Sequence, residues 1–134
     1  MAQRFAAESK LPLTYSAENT RATLWRAIHS PLVFLVWQGE ETLGGSILGG
    51  FDNDFTIEKA AYIIKFYVEK ELRGLGVSRE LLRAFESDMT QRGASVVFAS
   101  STVSLGTMNE KLYVNLFEKE GYNVFGHVLI RELQ

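Results

Sequence analysis

Six consecutive residues, Arg73-Gly74-Leu75-Gly76-Val77-Ser78, carry the clearest chemistry in this 134-residue chain. They follow an apolar run, Ala60 to Val68, and a short charged stretch, and they open an amphipathic segment that starts at Ser78. A strand that feeds a glycine-bearing turn at the start of a helix is one way to build an anion site. The first N–H groups of a helix have no partner within it, and the helix dipole places partial positive charge there. Glycine lets the backbone approach a phosphate with no side chain between them. The segment is therefore expected to hold a pyrophosphate-bearing molecule.

Two phosphate loops do not fit. The dinucleotide pattern G-x-G-x-x-G requires glycine where Arg79 stands. The nucleoside-triphosphate loop G-x-x-x-x-G-K-[ST] needs a Gly-Lys-Ser or Gly-Lys-Thr, and the chain has neither.

The elements that must position the loop are legible on either side. Ser16 is placed to cap a helix running to about His29, with Leu24, Trp25 and Ile28 on one face and Pro31 marking its end. A short strand at Leu11 to Tyr15 is expected in front of it. Leu32 to Gln38 reads as a buried strand paired in a hairpin with Thr42 to Leu48. Gly44, Gly45, Gly49 and Gly50 point to a bend there or to close approach by another element. Phe51 to Phe55 is expected as a loop. Ala60 to Val68 is apolar almost throughout, as in a strand covered on both faces.

From Ser78 to Arg92 the apolar positions Leu81, Leu82, Phe85 and Met89 recur at helical spacing, and Gly93 stops the helix. Ser95 to Ser101 is the next strand. Thr107-Met108-Asn109-Glu110 has the form of a capping box, so a last helix starts near Met108 and ends at Gly121. Tyr122 to Leu133 alternates as one long strand or a bent pair. The sum is a single α/β domain over residues 1–134, a mixed sheet with helices on its faces.

Composition removes several classes of function. With no cysteine there are no disulfides, thiolate ligands or cysteine nucleophiles. A net charge of −2 gives no signal for nucleic acid. No apolar run is long enough to span a bilayer, and the N-terminus lacks a signal-peptide pattern. A cytoplasmic protein is expected. His29 and His127 lie far apart, and no metal site is expected.

Arg73-x-x-Gly76-x-Ser78, preceded by Tyr67-Val68 and followed by an amphipathic helix, resembles the Q/R-x-x-G-x-G/A motif of the GNAT N-acetyltransferase superfamily. Ser78 stands at the last small position. Leu116-Phe117-Glu118-Lys119-Glu120-Gly121-Tyr122 is similar to that family's L-Y-E-K-x-G-F ending. The resemblance extends over nearly the whole chain. It implies a GNAT fold, in which the strand before the loop splays away from the next one. It implies acetyl-coenzyme A as acetyl donor and direct attack by an amine.

Carried over by position, Arg73, Gly74, Leu75, Gly76, Val77, Ser78 and Arg79 would surround the pyrophosphate, mainly through backbone N–H groups. A backbone N–H near Tyr67-Val68 would contact the pantetheine arm and polarise the thioester carbonyl. Asn109 matches the family's cofactor-contacting asparagine loosely. The chain departs from the family at Phe117, where a tyrosine usually supplies a proton. Tyr113, one helical turn earlier, is the candidate replacement, and Tyr122 is a weaker one. The nearest carboxylate upstream of the loop strand is Glu58, and Lys65 is the one charge within that strand.

The acceptor is expected to be an amine-bearing small molecule or a protein or peptide. Trp25, Trp37, Phe51, Phe55 and Phe125 are candidate linings, and Asp52, Asp54 and Glu58 form a candidate acidic patch for a cation. The Phe117 departure also admits a non-catalytic coenzyme A-binding module acting as a regulator. An open C-terminal strand edge would admit a homodimer.

Overall fold

The computed structural model describes residues 14–30, 32–52, 57–100 and 110–126, together with residues 3, 7, 129, 131 and 133. Helix α1 (Ala17–His29) leads into strands β1 (Val33–Gln38), β2 (Leu43–Asp52) and β3 (Lys59–Val68). A 3-10 turn (Lys70–Leu72) joins β3 to helix α2 (Val77–Gln91), which is followed by β4 (Ala94–Phe98) and helix α3 (Glu110–Lys119). The sheet order is β1-β2-β3-β4; the first two pairings are antiparallel and β3–β4 is parallel.

Local chemistry explains the helix ends. The Ser16 hydroxyl accepts from the Asn19 N–H at 3.1 Å and caps α1 as expected. The face of α1 differs from the expected one. Ala27 is its buried residue, whereas Trp25 (66% exposed) and Ile28 turn outward, with Trp25 packed on the His29 ring.

β2 runs on past Leu48 through Gly49 and Gly50 and into Phe51 and Asp52, the first two residues of the expected loop. Pairing of Gly49 with β1, and of Gly49 through Asp52 with β3, overrides the weak strand propensity of glycine. The glycines are required by packing. A Cβ on Gly49 would sit 2.5 Å from the Tyr62 carbonyl and closer still to the Phe85 ring, and one on Gly45 would lie 3.0 Å from Leu81. Helix α2 thus rests directly on β2, with Leu81, Leu82, Phe85 and Met89 in a common core with Ile47, Ile63, Phe66 and Val68. Gly49→Ala is expected to cost about 1–3 kcal/mol through overpacking. A lower urea midpoint at unchanged slope would show it.

The chain from β3 to α2 sets up the site. Between the pairs Leu48↔Lys65 and Gly49↔Ile63, strand β3 carries one extra residue, Ile64. Such a bulge bends and twists its strand. The parallel pairing of β3 with β4 ends two residues before Ile64, at Tyr62↔Phe98. From Ile63 to Val68 the edge of β3 away from β2 has no strand beside it among the described residues. The two strands part where the bulge lies. The opposite face of β3 is partly open, since Tyr62, Ile64 and Lys65 are exposed, contrary to the expectation of cover on both faces.

Two expected strands are not seen in the described parts. Thr14 and Tyr15 are unpaired, and Leu11 to Leu13 lie outside the described residues. Residues 122–126 carry no strand pairing, and much of the rest of the expected C-terminal strand lies outside the described residues.

Candidate active site

The loop forms an open cradle. Gly74 and Gly76 adopt the left-handed conformation, with φ of +82° and +86°. A side chain there is strained, which is why glycine stands at both positions. A Cβ built on either meets nothing within 4 Å, so open space flanks the loop on that side. Gly76 is the N-cap of α2, and its carbonyl accepts the first helical bond, from Glu80 at 3.0 Å.

The backbone N–H groups divide into two sets. Arg73 N–H donates to the Lys70 carbonyl and Leu75 N–H to the Leu72 carbonyl, both at 3.3 Å, because the 3-10 turn folds the chain back on itself. This corrects the expectation for those two residues. The N–H groups of Gly74, Gly76, Val77, Ser78 and Arg79 have no partner among the described residues. They stand at the positive end of a 15-residue helix. Free amides, open space and glycines in the left-handed region fit a diphosphate. Glu80, the acidic residue of the first turn, is held aside by the Trp37 indole N–H at 3.1 Å.

Val68 completes the link between cradle and strand. Glu69 N–H donates to the Gly44 carbonyl at 2.7 Å, so the polar groups of Glu69 face β2. By strand alternation the N–H and C=O of Val68 face the opposite edge, the one β4 has left. The Val68 carbonyl accepts from Arg73 Nε at 2.9 Å. The arginine therefore spends its side chain on the strand end, and Val68 offers a ligand its N–H. Tyr67 is buried, with its hydroxyl donating to Glu69 Oε2 at 3.1 Å.

Tyr113 and Phe117 sit in an aromatic cluster on α3. The Tyr113–Phe117 centroids are 4.6 Å apart, Tyr122 meets Phe117 edge-on at 4.8 Å, and Phe66 of β3 lies 6.1 Å away. Tyr113 is 3% exposed, and its hydroxyl donates to the Ser100 carbonyl at 2.9 Å. Burial, and then the neighbouring Tyr122, raise its pKa, so it is protonated across the physiological range. The Tyr122 hydroxyl is buried without a hydrogen-bond partner among the described residues, and desolvation followed by the Glu86 and Glu120 charges raises its pKa as well. A cleft of about 880 Å³ runs past this cluster along β4. Its lining includes Tyr113, Phe117 and Tyr122 but none of the cradle residues.

Glu120 was not singled out by sequence. Its carboxylate receives Arg79 Nε and Arg83 Nε, both at 2.9 Å, and so ties the start of α2 to the end of α3. The signal was available: Arg79 and Arg83 are four apart, on one helix face. The hydrogen bond from Arg83 holds the Glu120 carboxyl below the usual carboxylate range, against desolvation. A folded-state pKa lowered in this way adds stability above the unfolded value of about 4.3, lost as pH falls through the folded value. Glu120→Gln is expected to reduce stability at neutral pH and to flatten its acid dependence. Urea midpoints between neutral and acidic pH would measure both.

Several expectations remain apart from the site. Asn109, Asp54 and Phe55 lie outside the described residues, as does the first part of the capping box. The described aromatics share no single pocket. Trp37 and Phe51 pack against the core, with Lys59 over the Phe51 ring, while Trp25 and Phe125 (95% exposed) face outward. Glu58 is exposed. Lys65 is exposed on β3, with partial desolvation lowering its pKa.

A bulged strand parting from its parallel neighbour beside an open amide cradle sets the class, a domain of mixed α/β build. The acetyltransferase (GNAT) family model matches residues 3–122, and the chain belongs to that family. Solved structures share the fold. An acetyltransferase from Trypanosoma brucei is 17% identical with a TM-score of 0.72, covering 96% of this chain and 87% of that one. AAC(6')-Iy, in complex with the bisubstrate analogue CoA-S-monomethyl-acetylneamine, is 12% identical with a TM-score of 0.75, covering 93% and 85%. Glucosamine-6-phosphate N-acetyltransferase from Arabidopsis thaliana is 15% identical with a TM-score of 0.70, covering 91% and 83%. Among curated protein sequences, none matches this chain.

Proposed function

We propose that the protein transfers an acetyl group from acetyl-coenzyme A to a primary amine. The observation that carries the reading is the set of five unpartnered N–H groups from Gly74 to Arg79, at the foot of a strand edge that β4 has vacated. Membership of the GNAT family and the coenzyme A-linked analogue carried by AAC(6')-Iy support it.

In this reading the five amides hold the diphosphate, and the vacated edge of β3 receives the pantetheine arm as an added strand would be received. The bound molecule supplies an activated acyl carbon. The Val68 N–H polarises its carbonyl, a type of contact worth about 2.7–4 kcal/mol per donor in the best-measured case. The amine attacks directly and sheds its proton to solvent. Tyr113 is the proposed donor to the departing sulfur, which requires its hydroxyl to leave the Ser100 carbonyl. The acceptor is a small amine or a lysine-bearing peptide. Among the described residues no helix is long and apolar enough to cross a membrane.

One observation favours a second reading. Phe117 is buried in the aromatic cluster and has no proton to give, and Tyr113 is hydrogen-bonded elsewhere. A coenzyme A-binding module without turnover would have these features. Calorimetry with acetyl-coenzyme A, followed by thiol release across polyamines, amino acids, aminoglycosides and lysine peptides, separates the two. Binding with amine-dependent thiol release is the expected result. Binding with no release for any amine supports the module, and no binding overturns both.

A further inference from the structure

Glu69 is a carboxylate only 7% exposed, directly after the last residue of β3, and the reaction outlined above gives it no role. Burying a carboxylate costs several kcal/mol unless partners compensate, so such a group needs a reason. Capping is not the reason. Glu69 precedes the 3-10 turn, yet its side chain makes no cap bond there and turns back to the Tyr67 hydroxyl. Tyr67 and Glu69 flank Val68 on either side in the chain. The guanidinium of Arg73 lies over the Tyr67 ring, 5.6 Å from its centroid, while its Nε holds the Val68 carbonyl. The peptide group after Val68 is then fixed at both ends, its oxygen by Arg73 and its N–H by the Gly44 carbonyl, while the peptide group before it, which carries the Val68 N–H, starts from Tyr67, whose side chain is held by Glu69 and Arg73.

We propose that Tyr67, Glu69 and Arg73 form a lock that fixes the direction of the Val68 N–H, making Glu69 a positioning residue for the donor that polarises the thioester carbonyl. The inference rests on the acetyl-coenzyme A reading above. A strand end whose neighbour has departed loses one of the two ladders that normally hold it in direction. Arg73, seated on Tyr67 and bonded to the Val68 carbonyl, replaces the missing ladder at that position. Glu69 holds Tyr67 from the other side. An N–H of fixed direction needs no reorganisation as charge builds on the carbonyl oxygen, which is what makes such donors effective. The lock acts on the thioester end, away from the diphosphate, so its loss should leave affinity for the carrier largely intact.

The test uses acetyl-coenzyme A labelled with 13C at the thioester carbonyl, bound to the full chain, and needs no acceptor. Polarisation by a hydrogen bond moves the bound carbonyl resonance downfield of the free one. Glu69→Ala and Tyr67→Phe are expected to return it at least halfway to the free position while Kd changes by less than about threefold, since the lost contact belongs to the acyl end. Glu69→Gln keeps an acceptor oxygen for the Tyr67 hydroxyl and is expected to retain most of the shift. If Glu69→Ala fails to fold, Tyr67→Phe decides. Either variant keeping the full wild-type shift with ligand bound overturns the lock. Wild-type protein that binds with no downfield shift overturns the lock and leaves coenzyme A binding standing. Wild-type protein that does not bind overturns the proposed function and the lock together.

Discussion

Gly76→Asp is expected to abolish binding of coenzyme A while the domain still unfolds cooperatively. Gly76 has φ of +86° and caps α2, and a Cβ there would point into open space. No packing contact is lost, and Asp is among the residues that enter the left-handed region with least penalty. The stability cost is therefore a backbone cost of about 1–2 kcal/mol. The effect on binding is electrostatic and much larger. A carboxylate about 4 Å from a phosphate charge repels it by about 4 kcal/mol at an effective dielectric of about 20, or about a thousandfold in Kd. Gly76→Asn has nearly the same shape and strain without the charge, and most of the affinity should survive in it. Calorimetry on the pair separates charge from shape. Equal affinity of Gly76→Asp and wild type would remove the loop from the binding site.

The second large effect concerns Tyr113. Removal of its hydroxyl in Tyr113→Phe breaks the 2.9 Å bond to the Ser100 carbonyl, costing about 0.5–1.5 kcal/mol of stability whatever else the residue does. If the hydroxyl also protonates the departing thiolate, kcat falls about ten- to a thousandfold with KM little changed, the low-to-middle range for positioned proton transfer. Burial works against such a role, because a tyrosine with a raised pKa gives up its proton less readily. The aromatic cluster works for it, because Phe117 leaves the hydroxyls of Tyr113 and Tyr122 as its polar groups. Steady-state rates with the best amine, beside urea unfolding, read the two effects separately. A stability loss with an unchanged rate makes Tyr113 a packing residue.

How far the sequence could be read depends on the range of each interaction. Ser16, the helical stripe from Leu81 to Met89 and the glycines of the loop act through neighbours a few residues away, and all three were legible. So was the close approach foreshadowed by the glycines of β2, although the partner, Phe85, was not. The bulge at Ile64 was out of reach because register is decided between strands, and nothing in Ile63-Ile64-Lys65 marks an extra residue. Trp25 and Ile28 were misplaced because the face of α1 that packs is chosen by β1. Among the site residues, Arg73 and Leu75 were expected to offer their N–H groups. The 3-10 turn at Lys70–Leu72 that occupies them follows from a tertiary fit, the contact of Leu72 against β2 and Trp37. Glu120 and Glu69 acquire meaning only once α2, α3 and β3 are brought together.

The most direct measurement is a titration of 15N-labelled protein with coenzyme A, followed amide by amide. The amides of Gly74, Gly76, Val77, Ser78 and Arg79 should show the largest shifts, saturating together at one Kd, with Arg73 and Leu75 moving less because their N–H groups are already bonded. Saturable binding that leaves those five resonances in place would put the diphosphate elsewhere and contradict the account.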